Sequence, residues 1–258
     1  MLRNRFARIA LQVGTLALFL ACWELIARTI DARFLPSPMD VGTSVWSGSF
    51  DGTFLEHVII SLRRVLVGLG VAVVVGVPTG LVFGRIQPLR RALYPLVKFV
   101  FPIPVAALIP VVLVITGIRD LLYVSVVAIA TGIPLIIATV DAVRQTDPVL
   151  LESAAVLGAP RTSLFTRVLI PAVLPRVVHA SYVSSSIGLI VLITAEILVS
   201  TKGMGHVLVL AQRQYRVADM FAGIVVVGVV GMALSVIVRF VGNRIAGWEA
   251  ASLKKQWG

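Results

Sequence analysis

Six apolar runs of about twenty residues or more, separated by short basic or glycine- and proline-bearing stretches, decide most of what this chain can become. The runs are 9–27, 58–83, 94–116, 121–143, 177–199 and 221–241. A helix needs roughly twenty residues to cross the hydrocarbon core of a bilayer. No water reaches that core to satisfy a stray backbone N–H or C=O, so only helices or a closed barrel can span it. Barrel strands alternate in polarity over about ten residues, whereas these runs are continuously apolar. The expectation is an all-α integral membrane protein of about six transmembrane helices, forming a single domain over 1–258.

Composition agrees. The chain is 58% hydrophobic and only 14% charged, against about 25% charged in soluble domains, and its mean hydropathy is +0.99. A water-soluble core could not absorb that much apolar surface. The opening Arg3, Arg5 and Arg8 followed by an apolar run has the layout of a signal peptide. The run continues through Leu16 to Ile26 with only Glu24 charged, so it reads as an uncleaved first helix. Cys22 is the sole cysteine, which excludes an intramolecular disulfide and a cysteine-based metal cluster.

The net charge of +11 could suggest nucleic acid, but no basic stripe is interleaved with aromatics as such surfaces require. Lys and Arg instead gather at the ends of the apolar runs. For six spans, one side collects Arg3, Arg5, Arg8, Arg85, Arg90, Arg91, Lys98, Arg144, Arg161, Arg167, Arg176, Arg239, Arg244, Lys254 and Lys255. The other holds Arg33, Arg119, Lys202, Arg213 and Arg216, with Arg63 and Arg64 near its edge. Positive residues stay inside, so the richer side, with both termini, is expected in the cytoplasm.

Between the runs, 31–56 carries Pro36, Pro38, Gly42, Gly48 and Gly52 and reads as a loop with at most one short surface helix. The stretch 201–220 reads as a second outer loop. Gly68, Gly70, Gly76, Pro78 and Gly80 inside the second run suit close helix approach in a membrane. Pro102, Pro104 and Pro110 interrupt the third run, and each removes a backbone donor and kinks a helix.

The longest polar segment between spans is 144–176. It reads Leu150-Leu151-Glu152-Ser153-Ala154-Ala155-Val156-Leu157-Gly158-Ala159-Pro160, with Val168-Leu169-Ile170-Pro171 further on. Locally this is helix, break, helix: Gly158 suits a C-terminal cap and Pro160 the first turn of a new helix. A first helix of two or three turns is marginal in water and must be held by packing.

This segment resembles the EAA motif of bacterial ABC importer permeases: Glu-Ala-Ala, three residues, Gly, nine residues, Ile-x-Leu-Pro. Counting from Glu152, Gly158 falls in register and Val168-x-Ile170-Pro171 fills the end. Ser153, Val168 and Ile170 depart from the pattern while keeping size or apolar character. Further similarity to the nitrate, sulfonate, taurine and bicarbonate branch lies in Phe101-Pro102-Ile103-Pro104, Ala107-Leu108-Ile109-Pro110, Thr194-Ala195-Glu196, Gly203-Met204-Gly205 and Ala222-Gly223-Ile224.

The resemblance implies a type I ABC importer permease-like fold in the bacterial inner membrane. It implies that the Glu152, Ser153, Ala154, Ala155, Leu157, Gly158, Pro160, Ile170 and Pro171 stretch docks on an ATPase subunit and carries its motion to the spans. Two ATPase subunits, a second permease copy and a soluble substrate-binding protein are the implied partners, the last docking on the 31–56 and 201–220 loops. The implied solute is small and anionic, such as a sulfonate, taurine, nitrate or bicarbonate. No G-x-x-x-x-G-K-[ST] phosphate loop occurs, so no cofactor is expected in this chain and ATP belongs to the partner.

Pro102, Pro104, Ser184 and Glu196 are the candidate substrate-pathway residues. Bent helices tend to face cavities, yet neighbours can also relieve a proline for purely structural reasons. An ionisable group such as Glu196 near the outer end of the fifth run is costly in lipid. It either orients the pathway or pairs with Arg63 or Arg64. His57, His179 and His206 lack the spacing of a helical zinc site. The alternative, an ion-driven secondary transporter, would show paired midplane charges or inverted repeats, and the sequence shows neither.

Overall fold

The computed structural model describes residues 2–30, 34–50 and 52–246. Arg33 and the tail with Trp248, Lys254 and Lys255 lie outside the described residues, as do the side chains of Arg3, Arg5 and Arg8. All regular elements among the described residues are helical: α1 (Leu2–Thr29), α2 (Pro38–Phe50), α3 (Thr53–Arg85), α4 (Gln87–Val100), a 3-10 turn (Val105–Leu108) and α5 (Ile109–Thr116) come first. They are followed by α6 (Asp120–Arg144), α7 (Pro148–Val156), α8 (Arg161–Ser163), a π segment (Leu164–Leu169), α9 (Ile170–Val199), α10 (Met204–Arg213) and α11 (Val217–Ile245).

Five helices are long and apolar enough to cross a membrane. The third run departs from expectation. It is not one kinked crossing but two short helical pieces bent by 88° about the break 101–104, and six spans result only if this pair counts as one. Two prolines two residues apart leave the backbone there with too few donors to carry a helix through, and Phe101, Pro102, Ile103 and Pro104 are all exposed at the corner.

Helices α3, α6 and α9 form the centre. Small residues recur every fourth position on α3, at Gly68, Ala72, Gly76, Gly80 and Gly84, so they share one face. α6 presses on that face. A Cβ added to Gly68 would lie 2.6 Å from Val127 Cβ, and one on Gly84 would lie 2.6 Å from Val143 Cβ. Gly70, off this face, meets nothing within 4 Å. In lipid, where apolar surface has no reason to leave its solvent, such close contact is what holds helices together. Gly188 of α9 lies against Thr131 and Val127 of α6 and Val65 of α3. α11 then packs on α9, with Gly231 against Leu189.

Several hydroxyls within the spans are satisfied by their own helix: Thr79 donates to the Val75 carbonyl, Thr131 to Val127, Thr139 to Leu135 and Ser181 to Val177. Such back-bonding removes the cost of a polar group where water is absent. The outward faces are apolar, with Leu11, Val74, Val114, Ile115 and Met232 at least 70% exposed. Residues 9–22 of α1 are exposed throughout. Trp23 fastens that helix, its indole N–H donating to the Pro36 carbonyl at 3.1 Å and its ring lying 6.1 Å from Phe221.

Both expected outer loops are in fact largely helical. α2 and α10 bury Val41, Met204 and Val207 in a cluster with Phe54 and Ala222, and Ser44 donates to Asp219 at 2.7 Å. Packing against α11, rather than intrinsic propensity, makes these short segments helical.

Candidate functional site

At one end of the bundle the chain leaves α6 at Arg144 and builds α7. Asp147 caps it, its Oδ1 accepting from the Val149 N–H at 2.9 Å, and Pro148 occupies the first turn, where a missing N–H costs nothing. Its far end closes in a Schellman motif. The Ala159 N–H reaches back to the Ala154 carbonyl (3.1 Å) and the Gly158 N–H to Ala155 (3.0 Å). That closure needs a left-handed residue, and Gly158 has φ +82°. Pro160, at the N-cap, starts the next turn, α8.

From there the helix runs into α9 through the π segment, in which the Ile170 N–H bonds to the Phe165 carbonyl. The widened turn lies immediately before Pro171, whose ring would otherwise collide with the preceding turn. Leu169 is buried, and Ile170 and Pro171 are half-buried at the root of α9.

Leu151 and Phe165 pack on the buried cluster of Ala142, Val143, Leu169, Val173 and Val177, which anchors one side of α7. The other side is bare. Val156 and Leu157 are each 87% exposed, Val149 59% and Leu150 51%, and Glu152 and Ser153 share a shallow concavity with Val149, Val156 and Leu157. Ala154 is half-buried and Ala155 exposed. A short helix that offers this much apolar surface beyond the ends of the long helices is built to be covered.

The opposite end is its inverse. α6 separates the two ends by about 37 Å, from its 25 residues at 1.5 Å each. Glu196, with no solvent exposure, accepts from Ser61 Oγ (2.8 and 3.0 Å), Arg64 Nη1 (2.8 Å) and the Gly205 N–H (3.0 Å). Ser61 Oγ in turn accepts from the Met204 N–H at 2.9 Å, and His57 Nδ1 from the Gly203 N–H at 3.0 Å.

Arg64 also donates to Asp120 Oδ1 (2.9 Å) and the Lys202 carbonyl (3.0 Å), and its guanidinium lies 3.8 Å from the centroid of the Tyr123 ring. Arg63 reaches the same Asp120. Gly203 has φ +104°, and a Cβ there would overlap the Glu196 carboxylate. Four elements, α3, α6, α9 and the start of α10, are therefore tied at one buried charge pair. A pair broken here leaves an uncompensated buried charge.

The Thr194-Ala195-Glu196 and Gly203-Met204-Gly205 stretches, six residues apart in the sequence, meet in this knot. Glu196 pairs with Arg64, one of the two arginines expected, and Arg63 joins through Asp120. Ser61, His57 and Asp120 were not anticipated. His57, Ser61 and Arg64 follow i, i+4, i+7 spacing, which places them on one helix face. Asp147 and Val156 were also missed at the other end, although Asp before Pro is a readable helix start.

The pathway candidates scatter. Pro102 and Pro104 form the exposed corner between α4 and the 3-10 turn, and Glu196 lies in the knot. Ser184 is buried in the packing of α9, and Ser185 donates to the Tyr182 carbonyl at 2.7 Å. The next residue, Ser186, lines a cavity of about 610 Å³ between α9 and α11 with Tyr182, Ser235, Gly228 and Gly231. No group of three His, Cys, Asp or Glu among the described residues could hold a metal.

Long apolar helices joined through glycine faces, with a bare polar-side helix at one end, define a multi-pass membrane component made to work with other proteins. The chain belongs to the family of binding-protein-dependent transport system inner membrane components, whose model matches residues 72–247. It is similar to the taurine transport system permease protein TauC of Escherichia coli (strain K12), with 27% identity covering 94% of this chain and 90% of that protein.

It is also similar to the bicarbonate transport system permease protein CmpB of Synechococcus elongatus (27%, covering 93% and 89%). The putative aliphatic sulfonates transport permease protein SsuC of Bacillus subtilis (25%, covering 90% and 85%) is a further relative. A solved chain of the MetNI methionine ABC transporter in inward-facing conformations shares the fold, with TM-score 0.61 and 20% identity, covering 74% of this chain and 94% of that one. The protein is thus a permease subunit of an ABC importer in the inner membrane, as the EAA-like segment implied.

Proposed function

We propose that this permease lets a small organic or inorganic anion cross the inner membrane, driven by a separate pair of ATPase subunits that grip α7. The observation that carries this reading is the construction of α7: capped at both ends, anchored through Leu151, yet exposing Val156 and Leu157 almost completely. Burying two such side chains in a partner's groove is worth roughly 1.5–3 kcal/mol each, enough to make a mechanical grip. Glu152 and Ser153 sit in the concavity beside them. Ala154, Ala155, Gly158 and Pro160 give the helix its narrow profile and abrupt end, and Ile170 and Pro171 root it to α9.

ATP is bound by the partner. It acts only through its different affinity for two arrangements of the assembly, so what this chain must supply is a stiff connection from α7 to the spans. The π segment and α9 make that connection continuous over residues 161–199. The end bearing α7 faces the cytoplasm, as the crowding of basic residues there supports. Two copies of the permease enclose the pathway, and a binding protein delivers solute at the α2 and α10 end. Taurine, sulfonate and bicarbonate in the names of the relatives support an anionic solute.

In the reconstituted importer, Glu152→Ala and Gly158→Val are expected to abolish uptake while ATP hydrolysis and membrane insertion persist. Normal uptake by both variants at normal expression would overturn the coupling role.

A further inference from the structure

The cavity between α9 and α11 holds a combination that the function above does not use. Antiparallel packing sets Tyr182 of α9 beside the later part of α11, where Arg239 stacks its guanidinium 5.2 Å from the Tyr182 ring centroid. Ser235, one turn before Arg239, lines the cavity together with Tyr182 and Ser186. Among the described residues Arg239 has no carboxylate partner, and the hydroxyls of Tyr182, Ser186 and Ser235 make no hydrogen bond to protein.

Thr131, Thr139 and Ser181, by comparison, back-bond to their own helix. Arg239 lies exposed toward the basic end of α11, where an unpaired guanidinium beside three free hydroxyls can meet a group of opposite sign. The volume, about 610 Å³, suits a small ligand. Gly228 and Gly231 open the α11 wall, and Leu189 with the outward-facing Ile190 and Met232 make the remainder of this open recess apolar.

We propose that this cavity is an anion-receiving station of the transport path. Arg239 supplies the charge, the Tyr182 ring holds the guanidinium in place, and Ser186, Ser235 and the Tyr182 hydroxyl donate to the anion's oxygens. The apolar wall accepts a short carbon chain, so the class favoured is a small organic anion with a sulfonate or carboxylate head. The assignment deepens the permease reading and rests on it for the direction of transport, but the site itself can be tested without partners.

In a Cys22→Ser background, Ser186→Cys and Ser235→Cys are each introduced and the full chain is treated in membrane vesicles with a sulfonatoethyl and with a trimethylammonioethyl methanethiosulfonate. Both cysteines are expected to react, and the anionic reagent faster. Arg239→Gln is expected to remove that preference, slowing the anionic reagent by roughly three- to fiftyfold, the range between water-like and protein-like screening of a unit charge taken at roughly 7 Å for the order of magnitude. Arg239→Lys should retain it.

Two separate positions guard against one variant failing to insert. Reaction of neither cysteine with either reagent, in variants that insert normally, would overturn the proposal. So would equal rates for the two charges, unchanged by Arg239→Gln. Either failure would leave the α7 coupling test untouched, because that test reads uptake against ATP hydrolysis.

Discussion

The two ends of the bundle solve the problem of a polar surface on a lipid-dissolved protein in opposite ways. Around Glu196, charges are buried and every oxygen of the carboxylate is spoken for, so four elements move as one. Around α7, nothing charged is buried, the apolar residues are bare, and a single leucine and a π segment hold the helix to the spans. The contrast separates a part that must keep its shape from a part whose contacts, on the function proposed above, another protein completes. Substitutions at the first end should therefore act on folding, and at the second on transport.

The largest effect on stability is expected from Arg64→Ala, which strands the buried Glu196, while Asp120 keeps Arg63. Losing one partner of a buried pair costs about 3–5 kcal/mol, and thermal unfolding in detergent should show it. Gly203→Ala comes next. At φ +104° and ψ 169°, a region essentially open only to glycine, the backbone alone costs roughly 1–3 kcal/mol for a side-chain-bearing residue, and here the new Cβ also overlaps Glu196.

Gly158→Ala isolates the backbone cost, since a Cβ at that glycine meets nothing within 4 Å. It should destabilise by about 1–2 kcal/mol and always less than Gly203→Ala in the same unfolding assay. If the two glycines proved equivalent, the knot would not be the rigid end described here. Smallest is Leu157→Asp, expected to change unfolding by no more than about 0.5 kcal/mol while abolishing ATP-driven uptake. A large loss of stability at Leu157 would mean that α7 is part of the fold rather than a handle.

Much of this was legible beforehand, and the misses have physical causes. Runs of apolar residues specify crossings because the bilayer demands length, so α3, α6, α9 and α11 lie where expected. Three prolines in the third run announce trouble without saying whether a helix bends or ends; beyond the 88° corner Ile109 is buried in one cluster with Leu122 and Tyr123. α2 has the glycine, serine and proline content of a loop, α10 is only ten residues long, and their shared apolar cluster holds both as helices.

The limits of α7 were readable because caps are local: Gly158 and Pro160 report their own backbone. The pathway residues were not, since successive helical residues point about 100° apart and only packing decides that Ser184 faces inward while Ser186 faces the cavity. Glu196 could be paired with an outer arginine because charge in lipid needs charge. Ser61 and Asp120, by contrast, come from helices whose register the sequence does not display.

Photoreactive side chains at Leu157 and at Lys202, in turn, would read both ends of the molecule in the intact importer. From Leu157 the expected adduct is the ATPase subunit, in good yield, and from Lys202 the ATPase should never be captured. An ATPase adduct from Lys202, or none from Leu157 in a transporter that still imports solute, would contradict the assignment of α7 as the grip through which the nucleotide cycle reaches the membrane.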